Sequence, residues 1–174
     1  MLERRSALAS AAPYVSRRLS MAETPAFSLL QAACDEAAIA AIAGPLPARV
    51  GTSAEHAGRT LLRIGPRQFW IVGPDGDDLA ARLHASCAVT PLSSSRTRVT
   101  IDGAPARDVL AKGIAVDFHP EVFTPGKFAM TGVHHMPVLV HCTGPDRFDL
   151  YAMRTFALSV WEWLADAALE FAGH

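Results

Sequence analysis

Lysine is scarce in this chain, long apolar runs are missing, and cysteine is sparse and scattered. Only Lys112 and Lys127 are lysines among 16 basic residues, which face 17 acidic ones, so no net field is available to hold a polyanion by counterion release. That balance excludes nucleic acid as an expected partner. The remaining basic residues are arginines, whose planar forks suit packed, partly dehydrated contacts better than ammonium groups do. The bias hints at interfaces, although high-GC coding produces it equally well. No apolar run reaches the length that crosses a bilayer, because Asp35 and Glu36 interrupt the Ala/Ile/Leu-rich candidate, so a soluble chain without a membrane partner is expected. Cys34, Cys87 and Cys142 are far apart, odd in number and without a C-x-x-C, which predicts neither a disulfide framework nor a zinc knuckle. A reducing cytoplasm is then the natural location.

Several catalytic patterns are missing too. There is no G-x-S-x-G elbow, no G-x-x-x-x-G-K-[ST] phosphate loop, no G-x-G-x-x-G and no H-E-x-x-H. In Gly73-Pro74-Asp75-Gly76 the glycines are too close together and Pro74 removes an N–H, so a turn is predicted there and not a phosphate cradle. His134, His135 and His141 with Cys142 resemble a metal cluster at first. Along extended backbone, however, His135 and His141 would stand roughly 20 Å apart, and His134 would point to the other face. Such neighbours cannot close a tetrahedral site unaided. Ser93 to Ser95 form a run without a general base nearby, the composition of a loop joining two halves. Asp117, His119 and Glu121 fit either an acid–base constellation or a structured turn around Pro120.

What is present points to one α+β domain. At 174 residues and half hydrophobic, the chain can fill one core. Residues 26–34 read as a strand, and Asp35 is a candidate N-cap for an Ala/Ile-rich helix that stops at Gly44-Pro45. A Pro/Gly/Ser/Thr-rich loop leads to a hairpin over 60–64 and 68–72, joined by Gly65-Pro66-Arg67. Asp77 or Asp78 then caps a helix with Leu79 and Leu83 on one face, and 87–92 returns as a strand. The order β-α-β-β-α-β is the ferredoxin-like arrangement.

A second half begins similarly. Thr97, Val99 and Ile101 alternate with Arg96, Arg98 and Thr100, so one side is buried and two arginines lie on the other. Asp102 is a candidate cap for a helix carrying Ala106, Val109 and Leu110, closed by Gly113 at a position suited to left-handed backbone. An irregular stretch over 117–126 precedes strands near 128–131, 137–141 and 148–150. The final segment, 155–171, is a helix with a very wide apolar face containing Trp161 and Trp163, which core packing or another protein could cover. The first twenty residues set Arg4, Arg5, Arg17 and Arg18 against Glu3. That composition suits an organelle transit peptide or a basic arm lying on a neighbouring subunit, and a third reading is that translation starts at Met21.

The run from Ser95 to Phe123, SRTRVTIDGAPARDVLAKGIAVDFHPEVF, resembles the signature of sarcosine oxidase gamma subunits: an S-R-x-R strand, an A-R-x-V-L-x-K-G helix and a D-x-H-P-x-x-F turn. The likeness extends through Pro125 to Met136, Phe148 to Arg154 and the helix SVWEWLADAALEFAG, and upstream to RIGPRQFWIV. Arg4-Arg5-Ser6-Ala7-Leu8-Ala9 is similar to the family's R-R-S-x-L-A start, which favours the arm for residues 1–25, extended on partner chains. The remaining 26–174 is then a single α+β domain with related halves at 26–92 and 95–174.

The resemblance implies a fold related to the folate-binding region of glycine-cleavage T-proteins. It also implies a non-catalytic gamma chain beside alpha, beta and delta subunits, in a complex that demethylates sarcosine oxidatively. Such a complex passes the one-carbon unit to tetrahydrofolate and yields glycine and hydrogen peroxide. FAD, covalent FMN, NAD and the folate site would belong to the two large chains, and zinc to the smallest. No catalytic, cofactor or metal residue is therefore expected on this chain. The pterin-binding acid of the folate enzymes has no position to match here. Arg4, Arg5, Arg96, Arg98, His119, Trp161 and Trp163 are the interface candidates. A stand-alone T-protein-like folate binder or transferase, and a dimethylglycine-specific complex, are the alternatives.

Overall fold

A computed structural model describes residues 5–172. Its strands are β1 (Tyr14–Val15), β2 (Ser20–Glu23), β3 (Phe27–Ala33), β4 (Ser53–His56), β5 (Arg59–Gly65), β6 (Gln68–Pro74) and β7 (Ala88–Pro91). They are followed by β8 (Arg96–Asp102), β9 (Phe128–Val133), β10 (Met136–Gly144) and β11 (Arg147–Met153). The helices are α1 (Glu36–Ala43), α2 (Leu79–Leu83), α3 (Ala106–Ala111) and α4 (Ala157–Ala168). The architecture is α+β, with two antiparallel sheets and a C-terminal helix.

The chain divides into two compact units, Ala26–Ser94 and the combination of Met1–Pro25 with Ser95–His174. Each has its own apolar core. In the Ala26–Ser94 unit the strand order is β4-β5-β6-β3-β7, with α1 against α2. Leaving aside the short β4, this is the expected β-α-β-β-α-β order with its ferredoxin-like sheet. Leu30, Ala32, Leu61, Phe69 and Ile71 from the sheet meet Ile39, Leu79 and Leu83 from the helices. Period-two strands and i, i+4 helix positions therefore converge on one layer, as the burial of apolar area requires.

The other unit repeats the plan with a substitution. Its sheet runs β1-β2-β8-β11-β10-β9. β8 buries Thr97, Val99 and Ile101 and leaves Arg96, Arg98, Thr100 and Asp102 half-buried, the alternation read from the sequence. Beside β8, where β7 sits beside β3 in the other unit, lies β2, with Met21 opposite Ile101 and Ser20 opposite Asp102. The sequence reading sets residues 1–25 apart as an arm on partner chains; here Ser20–Glu23 is a strand of the sheet, and Leu8, Leu19 and Met21 are core residues of the unit. The physical reason is that α4 is followed by no strand among the described residues, so the edge of β8 is filled from the N-terminal segment, and an open ladder edge would otherwise be exposed. Arg4 lies outside the described residues.

Four local expectations are corrected. Asp35 occupies the N-cap position of α1 but its carboxylate pairs with Arg67 at 2.5 Å instead of capping. Asp102 ends β8, and α3 starts later, after Pro105 at the cap. Between them Gly103, at φ +136°, is needed because a Cβ there would meet the Arg18 carbonyl oxygen at 2.1 Å. Gly113 is not in the left-handed region; a Cβ on it would strike the Trp163 ring at 2.7 Å, so packing selects it. Finally, Cys34 and Cys87 form a disulfide, because the β3–β7 register that pairs Ala33 with Ala88 brings them opposite each other at a Cα separation of 4.7 Å. A sequence separation of 53 residues concealed that pairing.

Candidate functional site

Arg107, on α3, is buried although charged. Its Nη1 donates to the carbonyls of Phe118 at 2.7 Å and Phe123 at 3.1 Å. Nε and Nη2 both donate to the Pro145 carbonyl, at 3.0 and 2.6 Å. The guanidinium also sits 5.1 Å from the centroid of Phe148, whose ring packs with Phe118 and Phe123. A buried charge must be hydrogen-bonded to be tolerated, and three carbonyl oxygens serve here, with the Asp146 carboxylate only at 4.0 Å.

Arg107 thus fastens the 117–123 loop. Within that loop Asp117 Oδ1 accepts the His119 N–H, His119 Nδ1 accepts the Glu121 N–H, and the His119 carbonyl accepts from Val122 and Phe123. Of the two readings of Asp117, His119 and Glu121, the structured turn is the one these bonds describe. A cleft of about 580 Å³ opens beside it, lined among others by Arg107, Asp108, Asp117, Phe118, His119 and Asp146.

A second polar group lies on the side of β8, β10 and β11 away from the helices. Arg98 Nη2 meets Asp149 Oδ2 at 2.7 Å, Thr100 Oγ1 donates to Asp149 Oδ1 at 2.8 Å, and Thr24 and Thr100 hydroxyls are 2.7 Å apart. His141 stands opposite Asp149 and Tyr151 opposite Arg98 in the ladders. Burial lowers the His141 pKa to about 4, with the Arg98 charge adding to the shift and Asp149 opposing it. Burial likewise raises the Tyr151 pKa, helped by the Asp149 charge. His141 is neutral and Tyr151 protonated at physiological pH, so the group is a fixed hydrogen-bonding cluster around one ion pair.

The histidines do not gather. His134 and His135 occupy the turn between β9 and β10, where His134 has φ +51°, while His141 is buried on β10. Among the described residues no group of three His, Cys, Asp or Glu side chains is arranged to hold a metal ion. Cys142 Sγ is buried, donates to the Gly144 carbonyl, and has its pKa raised by that burial, the reverse of an activated thiol.

The family model for "Sarcosine oxidase, gamma subunit family" matches residues 30–170. The chain belongs to the sarcosine oxidase gamma subunit family. A sarcosine oxidase subunit gamma of Arthrobacter sp. is 31% identical over 170 residues, covering 94% of this chain and 84% of the relative. One from Corynebacterium sp. strain P-1 is 34% identical over 138 residues, covering 76% and 68%. Among solved structures, a chain of the heterotetrameric sarcosine oxidase from Corynebacterium sp. U-96 superposes with a TM-score of 0.89 at 27% identity, covering 98% of this chain and 97% of that one. The aminomethyltransferase T of the Bartonella henselae glycine cleavage system shares the fold, with a TM-score of 0.65 at 17% identity, covering 86% of this chain and 46% of that one.

The family signature now has a physical meaning. In A-R-x-V-L-x-K-G, Arg107 holds the D-x-H-P-x-x-F loop, Lys112 Nζ donates to the Ala167 carbonyl at the end of α4 and pairs with Glu170 at 2.6 Å, and Gly113 makes room for Trp163. In S-R-x-R, Arg98 reaches Asp149 and Arg96 bonds the Ser95 carbonyl and hydroxyl. Of the interface candidates, Arg5 and His119 are exposed, Arg96, Arg98 and Trp163 are half-buried, and Trp161 is in the core of its own unit at 7% exposure. Arg107 and Asp149 were not among the candidates. Asp149 had one signal, a lone acid between Phe148 and Leu150 on an apolar strand; Arg107 had none beyond its place in the motif.

Proposed function

We propose that this chain is the non-catalytic gamma subunit of a heterotetrameric sarcosine oxidase. The observation that carries the proposal is the near end-to-end superposition on a chain of the Corynebacterium enzyme. In this reading alpha, beta and delta subunits are its partners in the cytoplasm. FAD, covalent FMN, NAD and the tetrahydrofolate site reside on the two large chains and zinc on the smallest, while the complex oxidises sarcosine to glycine with release of hydrogen peroxide. The chain's own polar groups support a scaffolding role: Arg107 is committed to three carbonyls and Arg98 to Asp149. Of the interface candidates, Arg5, Arg96, Arg98, His119 and Trp163 keep surface to offer a partner. A stand-alone folate-dependent transferase is the alternative reading; the chain covers 46% of the aminomethyltransferase whose fold it shares.

Affinity purification of the tagged chain from its native cell tests this. Two flavin-bearing large chains and a small zinc chain should co-elute, and the complex should turn over sarcosine. Recovery of a lone monomer that binds tetrahydrofolate would overturn it, and faster turnover of dimethylglycine would reassign the substrate.

A further inference from the structure

We propose that Cys34 and Cys87 form a reversible, peroxide-closed clasp on the edge strand β7; the part that names the oxidant rests on the oxidase reading above. β7 is four residues long, pairs among the described strands only with β3, and exposes Ala88, Thr90 and Pro91, so little apolar burial holds it. Its far end is anchored by Leu92 N–H to the Leu29 carbonyl and by Leu29 N–H to Ser93 Oγ. Its near end follows His84, Ala85 and Ser86, all exposed, and is anchored at Cys87 by the disulfide and by Cys87 N–H to the Leu83 carbonyl. The two cysteines sit at the rim of their core, at 9% and 8% exposure, whereas Cys142 is at 0% with a raised pKa. A small oxidant such as hydrogen peroxide therefore reaches the pair through small openings of the edge and does not reach Cys142.

The chemistry balances with hydrogen peroxide, which an oxidase releases when it passes an electron pair to dioxygen. One thiolate attacks a peroxide oxygen, breaking the O–O bond to give a sulfenic acid and, after protonation, water. The second thiol attacks that sulfur, forms the S–S bond and expels a second water. Two thiols lose two electrons and two protons, and one peroxide is reduced to two waters. A cellular dithiol reverses the step by exchange.

The test uses the full chain, reduced with dithiothreitol, desalted without oxygen and treated with one equivalent of hydrogen peroxide. Thiols are counted by alkylation in denaturant and intact mass. The expected result is a drop from three labels to one, with Cys34 and Cys87 cross-linked and Cys142 labelled. Three labels, or oxidation that includes Cys142, overturns the proposal. Amide exchange over residues 84–91 should slow roughly tenfold on closure and recover with dithiothreitol; unchanged exchange overturns the clasp. In the purified complex, sarcosine turnover without catalase should close the bond and turnover with catalase should not. Closure by added peroxide but not by turnover refutes the product-driven part alone, and because the isolated chain is tested first, failure of the subunit assignment leaves the thiol result standing.

Discussion

Arg107 and Phe118 are joined by a 2.7 Å hydrogen bond from guanidinium to main-chain carbonyl, and that bond couples a helix to an otherwise irregular loop. Arg107→Ala removes the donor for the carbonyls of Phe118, Phe123 and Pro145 together. Leaving buried acceptors unpaired costs roughly 1–3 kcal/mol each, less what water recovers, so a loss of about 3 kcal/mol is expected. Urea unfolding followed by tryptophan fluorescence measures it. Arg107→Lys should retain less than half of the difference, because an ammonium cannot fork toward both sides; a fully stable Lys variant would contradict the clamp.

Gly113 and Trp163 give a second test. Gly113→Ala puts a methyl 2.7 Å from the indole, and overpacking of this kind costs on the order of 1–3 kcal/mol. In the background of Trp163→Leu the same substitution should cost much less, so the double-mutant cycle should show a coupling of about 1 kcal/mol or more. Additive effects would mean that the glycine is required for a different reason.

His141 sets a pH dependence. Its folded pKa, about 4, lies below the unfolded value of 6.5, so the unfolded chain binds more protons between them. The associated stability is present above pH 6.5 and is lost as pH falls from 6.5 toward 4, by up to about 1.4 kcal/mol per pH unit. Denaturation midpoints of the wild type should therefore fall through that window more steeply than those of His141→Gln. Parallel curves would show that His141 protonates without cost in the folded state.

Much of the fold was legible where neighbours in sequence are neighbours in space. The β8 alternation and the β5–β6 hairpin follow from residues within a few positions of one another. The β2 strand was not legible, because SMAE is four residues with a single buried apolar position, Met21, and its partner is some eighty residues away. The Cys34–Cys87 pairing was likewise hidden by distance in sequence, 53 residues. Gly113 was misread because a glycine ending a helix usually signals left-handed backbone, whereas here a tryptophan more than one element away decides it. The signature residues were visible as a motif, but the division between Arg107 turned inward and His119 left at the surface depends on which main-chain carbonyls the loop presents.

The placement of β2 also governs how the chain assembles. Ser20 and Asp102 are ladder partners, so the segment from Ala26 to Ser94 is spliced into the middle of the unit to which they belong. During synthesis that inserted segment emerges whole, with local contacts sufficient to condense, before β8 exists to receive β2. Once condensed, it brings the two flanking strands within a far shorter effective loop than some seventy unfolded residues would leave, reducing the entropy of closure. The strand β2 is consequently among the last to find its partner, and the rate-limiting step of folding is expected to be its docking onto β8, which is made some eighty residues later.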